Sequence, residues 1–386
     1  MTAGKERPGR FTPYATLRVG EHRLALLKDG EQAYPAMLEA IASARSHICL
    51  ETYIFRADRT GRRFARALAE RARAGVEVNV IVDAWGSPLP LGFVRRLQRA
   101  GVRILHYNPV RLSWRALRTR FARFFRRNHR KILVVDNRVG FTGGLNIADD
   151  YASEEDGGQG WRDTHLRIEG PAVAELLYVF RRTWEKEGGA PLDERRYRSE
   201  GRRPDPRVRV LASDIRRGRR MIKDAFLQAI RQAKERIWIT SAYFLPTRKM
   251  LKALVAAARR GVDVRVIVAG TTDVLPARYA AQSFYPRLLK AGVRVYEWVG
   301  TVLHAKTALV DRHWATVGSS NLDALSLRKN LEVNAFVEDR AFNEVLARLF
   351  EEDLEKCVEI EWRWFRYRPL LDRLLSFVLG RLQRWI

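Results

Sequence analysis

At 386 residues the chain can form one large or two medium domains around a sizeable buried core. Its 71 Lys and Arg against 44 Asp and Glu give a formal net charge of +27, an excess that steers a protein toward nucleic acid or acidic lipid, or merely solubilises its surface, and is silent on fold. With only 2 cysteines, Cys49 inside an apolar stretch and Cys357, a disulfide scaffold and a structural zinc site are excluded and a cytoplasmic setting fits. No opening run reads as a signal peptide and no apolar run approaches a membrane span, so any membrane contact is expected to be peripheral.

Residues 1–18 are polar and punctuated by Pro and Gly, a loose lead-in. A helical pattern from Ala33 to Ala44 precedes the strand ICLETYIF, Ile48 to Phe55. A second helix, Arg62 to Ala74, stops at Gly75 and feeds VEVNVIVD, which closes at Asp83. A third, Gly92 to Ala100, stops at Gly101 before VRILHY. Glycine just past a helix end is a C-cap signal, and the alternation of helix and strand predicts three-layer α/β packing around a largely parallel sheet. The order then returns: Ala225 to Ala233 before IWITSAYF, Leu251 to Arg260 before VDVRVIVAG, Pro286 to Ala291 before VRVYEW. Two halves are expected, 19–190 and 207–360, joined by a linker at 191–206 within a stretch that lacks apolar periodicity.

Two basic segments stand outside this repeat. Gly101 to His129 spans 28 positions where Gly292 to His304 spans 12. The insertion, 107–127, carries Arg111, Arg115, Arg118, Arg120, Arg123, Arg126 and Arg127 with no acidic residue, and Trp114, Leu117, Phe121 and Phe124 recur at helical spacing. The tail, 361–386, mixes leucines with arginines and is too charged to span a bilayer. Both suit an interfacial helix facing anionic headgroups; packing on the protein body is the alternative for each, and for the tail packing against a second chain as well.

The chain's organising feature is a stretch that occurs twice. Asn128 to Asn146 reads NHRKILVVDNRVGFTGGLN, and Leu303 to Asn321 reads LHAKTALVDRHWATVGSSN. In each, Lys lies two residues after His, Asp seven, Gly fourteen and Asn seventeen: His129, Lys131, Asp136, Gly143 and Asn146, then His304, Lys306, Asp311, Gly318 and Asn321. The apolar run after His-x-Lys makes each copy a strand, so His and Lys share a side. Brought together, the copies offer two imidazoles, two ammonium groups and two amides around one phosphate. That set matches phosphoryl transfer, which needs a nucleophile, an acid for the leaving oxygen and fixed positive charge over the non-bridging oxygens. One His would attack phosphorus to give a phosphohistidine and the other would protonate the departing alcohol. The lysines would supply the charge neutralisation that Mg²⁺ gives elsewhere, so no cofactor or metal is expected.

The pattern His-x-Lys-x4-Asp-x6-Gly-Gly/Ser-x-Asn resembles the phospholipase D superfamily. From Leu24 to about Cys357 the strings ICLETYIF, VDAWGS, TGGLNIA, WRDTHLRIEGP, SAYFLP and NLEVNAF resemble the short bacterial cardiolipin synthases that lack an N-terminal membrane-spanning pair. The resemblance implies duplicated α/β/α sandwich halves with mixed sheets, related by a pseudo-twofold axis around one shared active site. It implies His129 as nucleophile and His304 as general acid and base, with Glu332 bracing His129 and Asp163 bracing His304. Asp136 and Asp311, part of the motif, are expected to anchor the turn behind each strand. Ser319 and Ser320 would add hydroxyls near the phosphate or fill the turn. Glu51 aligns with Thr240 and Asp83 with Ala269, a lost symmetry that makes both weak candidates for glycerol contacts. The implied activity is cardiolipin synthesis at the cytoplasmic face of the cell membrane: phosphatidyl transfer between two molecules of phosphatidylglycerol with release of glycerol. A hydrolytic or transphosphatidylating phospholipase D, a nucleic-acid phosphodiesterase and a catalytically dead lipid-binding module are the alternatives; nucleic acid is not an obligatory partner.

Overall fold

The computed structural model describes residues 12–109, 126–197, 205–213, 221–327 and 329–382. The first half contributes strands β1 (Ala15–Val19), β2 (His22–Lys28), β3 (His47–Thr52), β4 (Glu77–Asp83), β5 (Arg103–Tyr107), β6 (Ile132–Val135), β7 (Val139–Gly143) and β8 (Thr164–Glu169). The second contributes β9 (Val208–Ala212), β10 (Arg236–Ser241), β11 (Asp263–Ala269), β12 (Arg294–Trp298), β13 (Lys306–Val310), β14 (Trp314–Gly318), β15 (Val333–Glu338) and β16 (Cys357–Glu359). Their orders, β1-β2-β8-β7-β6-β3-β4-β5 and β16-β12-β11-β10-β13-β14-β15-β9, match strand for strand apart from the added edges β1 and β16.

The sheets are mixed, and the expectation of a largely parallel sheet is overturned. Only β3-β4-β5 and β10-β11-β12, the strands linked through helices, run parallel; their neighbours pair antiparallel. The cause is the motif itself, which folds as a hairpin in each half: Val135 pairs with Val139, and Val310 with Trp314. In the first hairpin Asp136 and Asn137 take φ of 53° and 56°, the left-handed pair of a tight hairpin turn.

Each sheet is covered on its outer face by helices whose apolar stripes form a separate core: Asp29–Ser43, Arg59–Arg73 and Leu91–Arg99 on the first, Met221–Gln232, Arg248–Arg259 and Tyr285–Leu289 on the second. A third core lies between the sheets and draws on both halves. Helices Ala172–Lys186 and Arg340–Leu354 supply it with Leu176, Phe180, Trp184, Phe342 and Phe350. Buried polar contacts fix the halves in register. Arg162 forms a two-pronged pair with Asp353, both bonds 2.8 Å, and Arg130 donates to the Ser213 carbonyl at 2.6 Å and to the Thr183 hydroxyl at 2.8 Å.

Two expected boundaries shift. Residues 15–18, assigned to the lead-in, belong to β1, whose Val19 is buried at the sheet edge. The linker is partly anchored: Tyr197 is buried, its ring lies 4.4 Å from the His47 ring at a 40° tilt, and its hydroxyl donates to Glu77 at 2.8 Å.

Asp136 and Asp311 hold the start of β3 and β10. Asp136 accepts from the amides of Arg45, Ser46 and His47 at 2.7, 2.8 and 2.9 Å, and Asp311 does the same for Lys234, Glu235 and Arg236. Asp136→Ala leaves those three amides without their acceptor and should lower unfolding free energy by about 2–3 kcal/mol. An unchanged urea midpoint would contradict this account of the motif aspartate.

Candidate active site

Both His-x-Lys segments arrive as extended chain clamped to the opposite half. The His129 amide donates to the Leu331 carbonyl at 2.9 Å and the Leu331 amide to the Arg127 carbonyl at 2.9 Å. In the same way the His304 amide donates to the Arg162 carbonyl at 2.8 Å and the Arg162 amide to the Val302 carbonyl at 2.9 Å. The next residue on each clamping chain is therefore delivered beside a histidine from the other half. Glu332 Oε2 lies 3.1 Å from His129 Nδ1, and Asp163 Oδ2 lies 2.7 Å from His304 Nδ1. With Nδ1 of each ring held by a carboxylate, each Nε2 is left for chemistry. The two rings face one another with centroids 6.5 Å apart. Lys131 and Lys306 each donate to the carbonyl of their own histidine, two residues back. His129 and Lys131 stand just before β6, while Lys306 opens β13.

This cluster is almost wholly buried, and burial governs its charge. The exposures of His129, Lys131, His304 and Lys306 are 8%, 2%, 4% and 2%, and those of Asp163 and Glu332 are 0%. Loss of hydration depresses His129 and Lys131, and it depresses His304 with help from both lysines. It also lifts Asp163 to about 6 against the pull of Lys306, and lowers Lys306 to about 8. Four basic groups thus face two carboxylates, and an anion held between the rings would restore all four toward their charged forms. The free enzyme should lose kcat/KM as pH rises, with the loss complete above about 8, because Lys306 passes from ammonium to neutral amine there and burial depresses the proton donor His304 and Lys131 as well. Lys306→Arg, which stays charged, should move that alkaline limb upward; an unmoved limb would assign it to another group.

The histidines open on a cavity of about 610 Å³. Tyr53, Trp85 and Arg127 border it near His129, and Tyr151, Trp161 and Tyr243 are also in its wall. Asn146 and Asn321 line it too, each also tying its motif to the neighbouring chain: Asn146 accepts from the Ile54 amide at 3.1 Å, and Asn321 from the Tyr243 amide at 3.4 Å.

The remaining expected residues lie elsewhere. Asp136 and Asp311 are at the far ends of their strands, outside the cavity. Glu51 and Asp83 are corrected from glycerol contacts to supports. Both are fully buried and neither lines the cavity; Glu51 accepts from the Asn128 side chain at 2.7 Å and Asp83 from the Asn128 amide at 2.8 Å, positioning the chain that enters His129. Ser319 also does not line the cavity: its hydroxyl donates to Glu332 at 2.5 Å. Gly144 is its counterpart, and a Cβ there would stand 2.0 Å from Asp163 Oδ1. The Gly/Ser difference between the motifs thus follows from how closely each carboxylate approaches. Ser320 is buried with its amide on Asn334 at 3.2 Å.

Sequence reasoning missed the aromatic walls. Tyr151 lies 5.2 Å and Trp161 6.2 Å from the His304 ring, and Tyr53 lies 5.1 Å from that of His129. It also missed Asp323, lifted by burial to about 6, and the Tyr243 hydroxyl bonded to Asp273 at 2.7 Å. Asp323 could have been suspected, because the first repeat has Ala148 at the matching place.

A duplicated α/β fold with two carboxylate-braced His/Lys pairs at one cavity defines a phosphodiester-transferring enzyme. The family profile described as "Cardiolipin synthase, PLD-like domain" matches residues 37–184 and 226–354. The chain is 36% identical over 374 residues to a cardiolipin synthase of Geobacillus thermodenitrificans (strain NG80-2), covering 94% of this chain and 73% of that protein. It is 41% identical over 336 residues to a cardiolipin synthase B of Salmonella typhi, covering 84% and 78%. Among solved structures, the phosphatidylserine synthase of Haemophilus influenzae Rd KW20 superposes with a TM-score of 0.72 at 13% identity, over 96% of this chain and 94% of that one, a likeness of fold. The chain belongs to the phospholipase D superfamily, in its cardiolipin synthase family. Among the described residues no helix is long and apolar enough to cross a membrane.

Proposed function

We propose that the protein makes cardiolipin, moving a phosphatidyl group from one phosphatidylglycerol to another and releasing glycerol. The observation that carries this reading is the crossed pairing, in which each buried imidazole is braced at Nδ1 by a carboxylate of the other half and faces its twin across 6.5 Å. His129 Nδ1–H donates to Glu332, so the Nε2 lone pair attacks phosphorus. The P–O bond to glycerol breaks, and its electron pair leaves with the glycerol oxygen, which takes the proton from His304 Nε2. The hydroxyl of a second phosphatidylglycerol then returns a proton to His304 and attacks phosphorus. The P–N bond breaks and its electrons return to His129. The ammonium groups of Lys131 and Lys306 neutralise the non-bridging oxygens throughout. Similarity to proteins named cardiolipin synthase supports this choice of donor and acceptor, and an anionic lipid substrate suits the net charge of +27.

The site of action is the cytoplasmic face of the cell membrane, bound peripherally. Most of the Arg-rich segment 107–127 expected to contribute lies outside the described residues, which resume at Arg126.

Labelled phosphatidylglycerol in mixed micelles tests the reading: cardiolipin and glycerol are the expected products. Phosphatidic acid alone would make the enzyme a hydrolase, and cleavage of a nucleic-acid phosphodiester in preference to lipid would overturn the assignment. Because the lysines carry the charge neutralisation, activity on detergent-dispersed substrate should survive extensive dialysis and excess EDTA. Loss on chelation with rescue by Mg²⁺ or Zn²⁺ would end the two-lysine account.

A further inference from the structure

Beyond Glu361 the chain folds back onto the second half. Helix Leu370–Leu382 lies alongside helix Leu275–Gln282 and runs in the same direction, with Asp372 beside Tyr279 and Gly380 beside Ser283. The approach is close: a Cβ on Gly380 would stand 2.5 Å from the Ser283 hydroxyl, and buried Ser376 donates to Gln282 at 3.4 Å. Leu379 packs on the second-half core, and buried Phe365 lies 5.2 Å from the Tyr285 ring. One face of the tail is therefore docked.

The rest of the tail helix is apolar and open to solvent. Leu370, Leu371, Leu374, Phe377 and Val378 are between 44% and 78% exposed, and Trp364 and Tyr367 just before the helix are 69% and 73% exposed. Leu275, 59% exposed, starts the neighbouring helix at the end where Leu370 and Leu371 lie. A contiguous apolar strip of this kind marks an interaction surface. Its edges are basic. The Arg366 guanidinium lies over the Tyr367 ring at 4.5 Å and that of Arg381 over Phe377 at 4.2 Å, cation–π contacts that hold positive charge at the border of the apolar strip. Arg363 and Arg373 add to the rim, and Asp372, turned toward Tyr279, is the single acid between Trp362 and Leu382.

We propose that this strip is a membrane-inserting face whose occupant is an anionic bilayer. Charge decides between that occupant and a second copy of the chain. Two copies would each bring an arginine rim and a net charge of +27 to the contact, whereas acidic headgroups complement the rim as the leucines enter the acyl region. The place of the strip gives insertion a consequence for catalysis. Val274 and Ala277, at the Leu275 end of the supporting helix, line the catalytic cavity. Seating the strip in the bilayer sets the cavity mouth against the headgroups, so a phosphatidyl donor reaches His129 while its acyl chains stay among their neighbours. The use of lipid as substrate rests on the phosphatidyl-transfer reading; the seating itself does not.

The test is sedimentation of the full chain with phosphatidylglycerol vesicles and with phosphatidylcholine vesicles, which needs no turnover. Wild-type protein should sediment with the anionic vesicles. The double variant Leu374→Glu, Phe377→Glu should bind them at least about tenfold more weakly, since it replaces two inserting apolar groups by charges. Turnover of a short-chain soluble phosphodiester should be unchanged, which also shows that the variant folds. Undiminished sedimentation of the variant would overturn the proposal. So would wild-type protein that chromatographs as a dimer and a variant that chromatographs as a monomer, an outcome that assigns the strip to a second copy. Intact wild-type sedimentation without cardiolipin formation would retire the phosphatidyl-transfer reading and leave the seating in place.

Discussion

His304→Ala should release about one equivalent of p-nitrophenolate from a phosphatidyl p-nitrophenyl donor and then stop. The phenolate leaves without a proton, so the first step needs only the His129 nucleophile, whereas the second needs His304 to deprotonate the acceptor. The stalled protein should carry an acid-labile, base-stable phosphoramidate that mass spectrometry maps to the peptide containing His129. His129→Ala should give neither burst nor adduct. On phosphatidylglycerol itself, whose glycerol alkoxide is a poor leaving group, His304→Ala should fall by about 10²–10⁴ in kcat. An adduct on His304 with a burst from His129→Ala would reverse the roles, and no adduct under any quench would replace the covalent path by direct attack of the acceptor.

The two bracing carboxylates should separate in the same assay. Asp163→Asn exchanges the carboxylate 2.7 Å from His304 Nδ1 for an amide that no longer fixes the tautomer or steadies the imidazolium. Transfer from phosphatidylglycerol should drop by about 10³–10⁴, the scale of the equivalent change in a serine-protease triad. The p-nitrophenolate burst should persist, because that step does not use His304. Glu332→Gln acts on His129 and should slow the burst itself, with headgroup release and transfer falling together. If Asp163→Asn abolished the burst and Glu332→Gln spared it, His304 would be the nucleophile and His129 the acid and base. Circular dichroism of both variants checks that neither effect is unfolding.

The parts of this machine that are legible in the sequence are those written as fixed spacings. His129, Lys131 and Asn146 and their partners in the second repeat announce themselves because two copies keep the same intervals while the loops between drift. Asp163 and Glu332 carry no such signal; they lie far along the chain from the histidines they brace, and only the resemblance to the family pointed to them. The antiparallel hairpins are masked in the sequence: Asp136-Asn137 is a turn signal, but it sits inside the motif and the helix–strand alternation upstream points to a parallel sheet. Glu51 and Asp83 are ambiguous for a different reason. A carboxylate at a strand end that holds Asn128 and one that meets substrate are the same letter in a sequence, and only burial without access to the cavity separates them. The walls made by Tyr53, Tyr151 and Trp161 come from three separate segments and converge only on folding.

The crossed pairing also bears on ancestry. A lone half carries one imidazole and one carboxylate that cannot reach each other, since Asp163 serves the histidine of the later repeat and Glu332 that of the earlier. A single-repeat ancestor could therefore have worked only as a homodimer, each subunit lending its acid to its twin. Two halves in one chain need not stay identical. Asp163 in one place and Glu332 in the other, glycine at 144 and serine at 319, are differences that a symmetric dimer could not make one at a time.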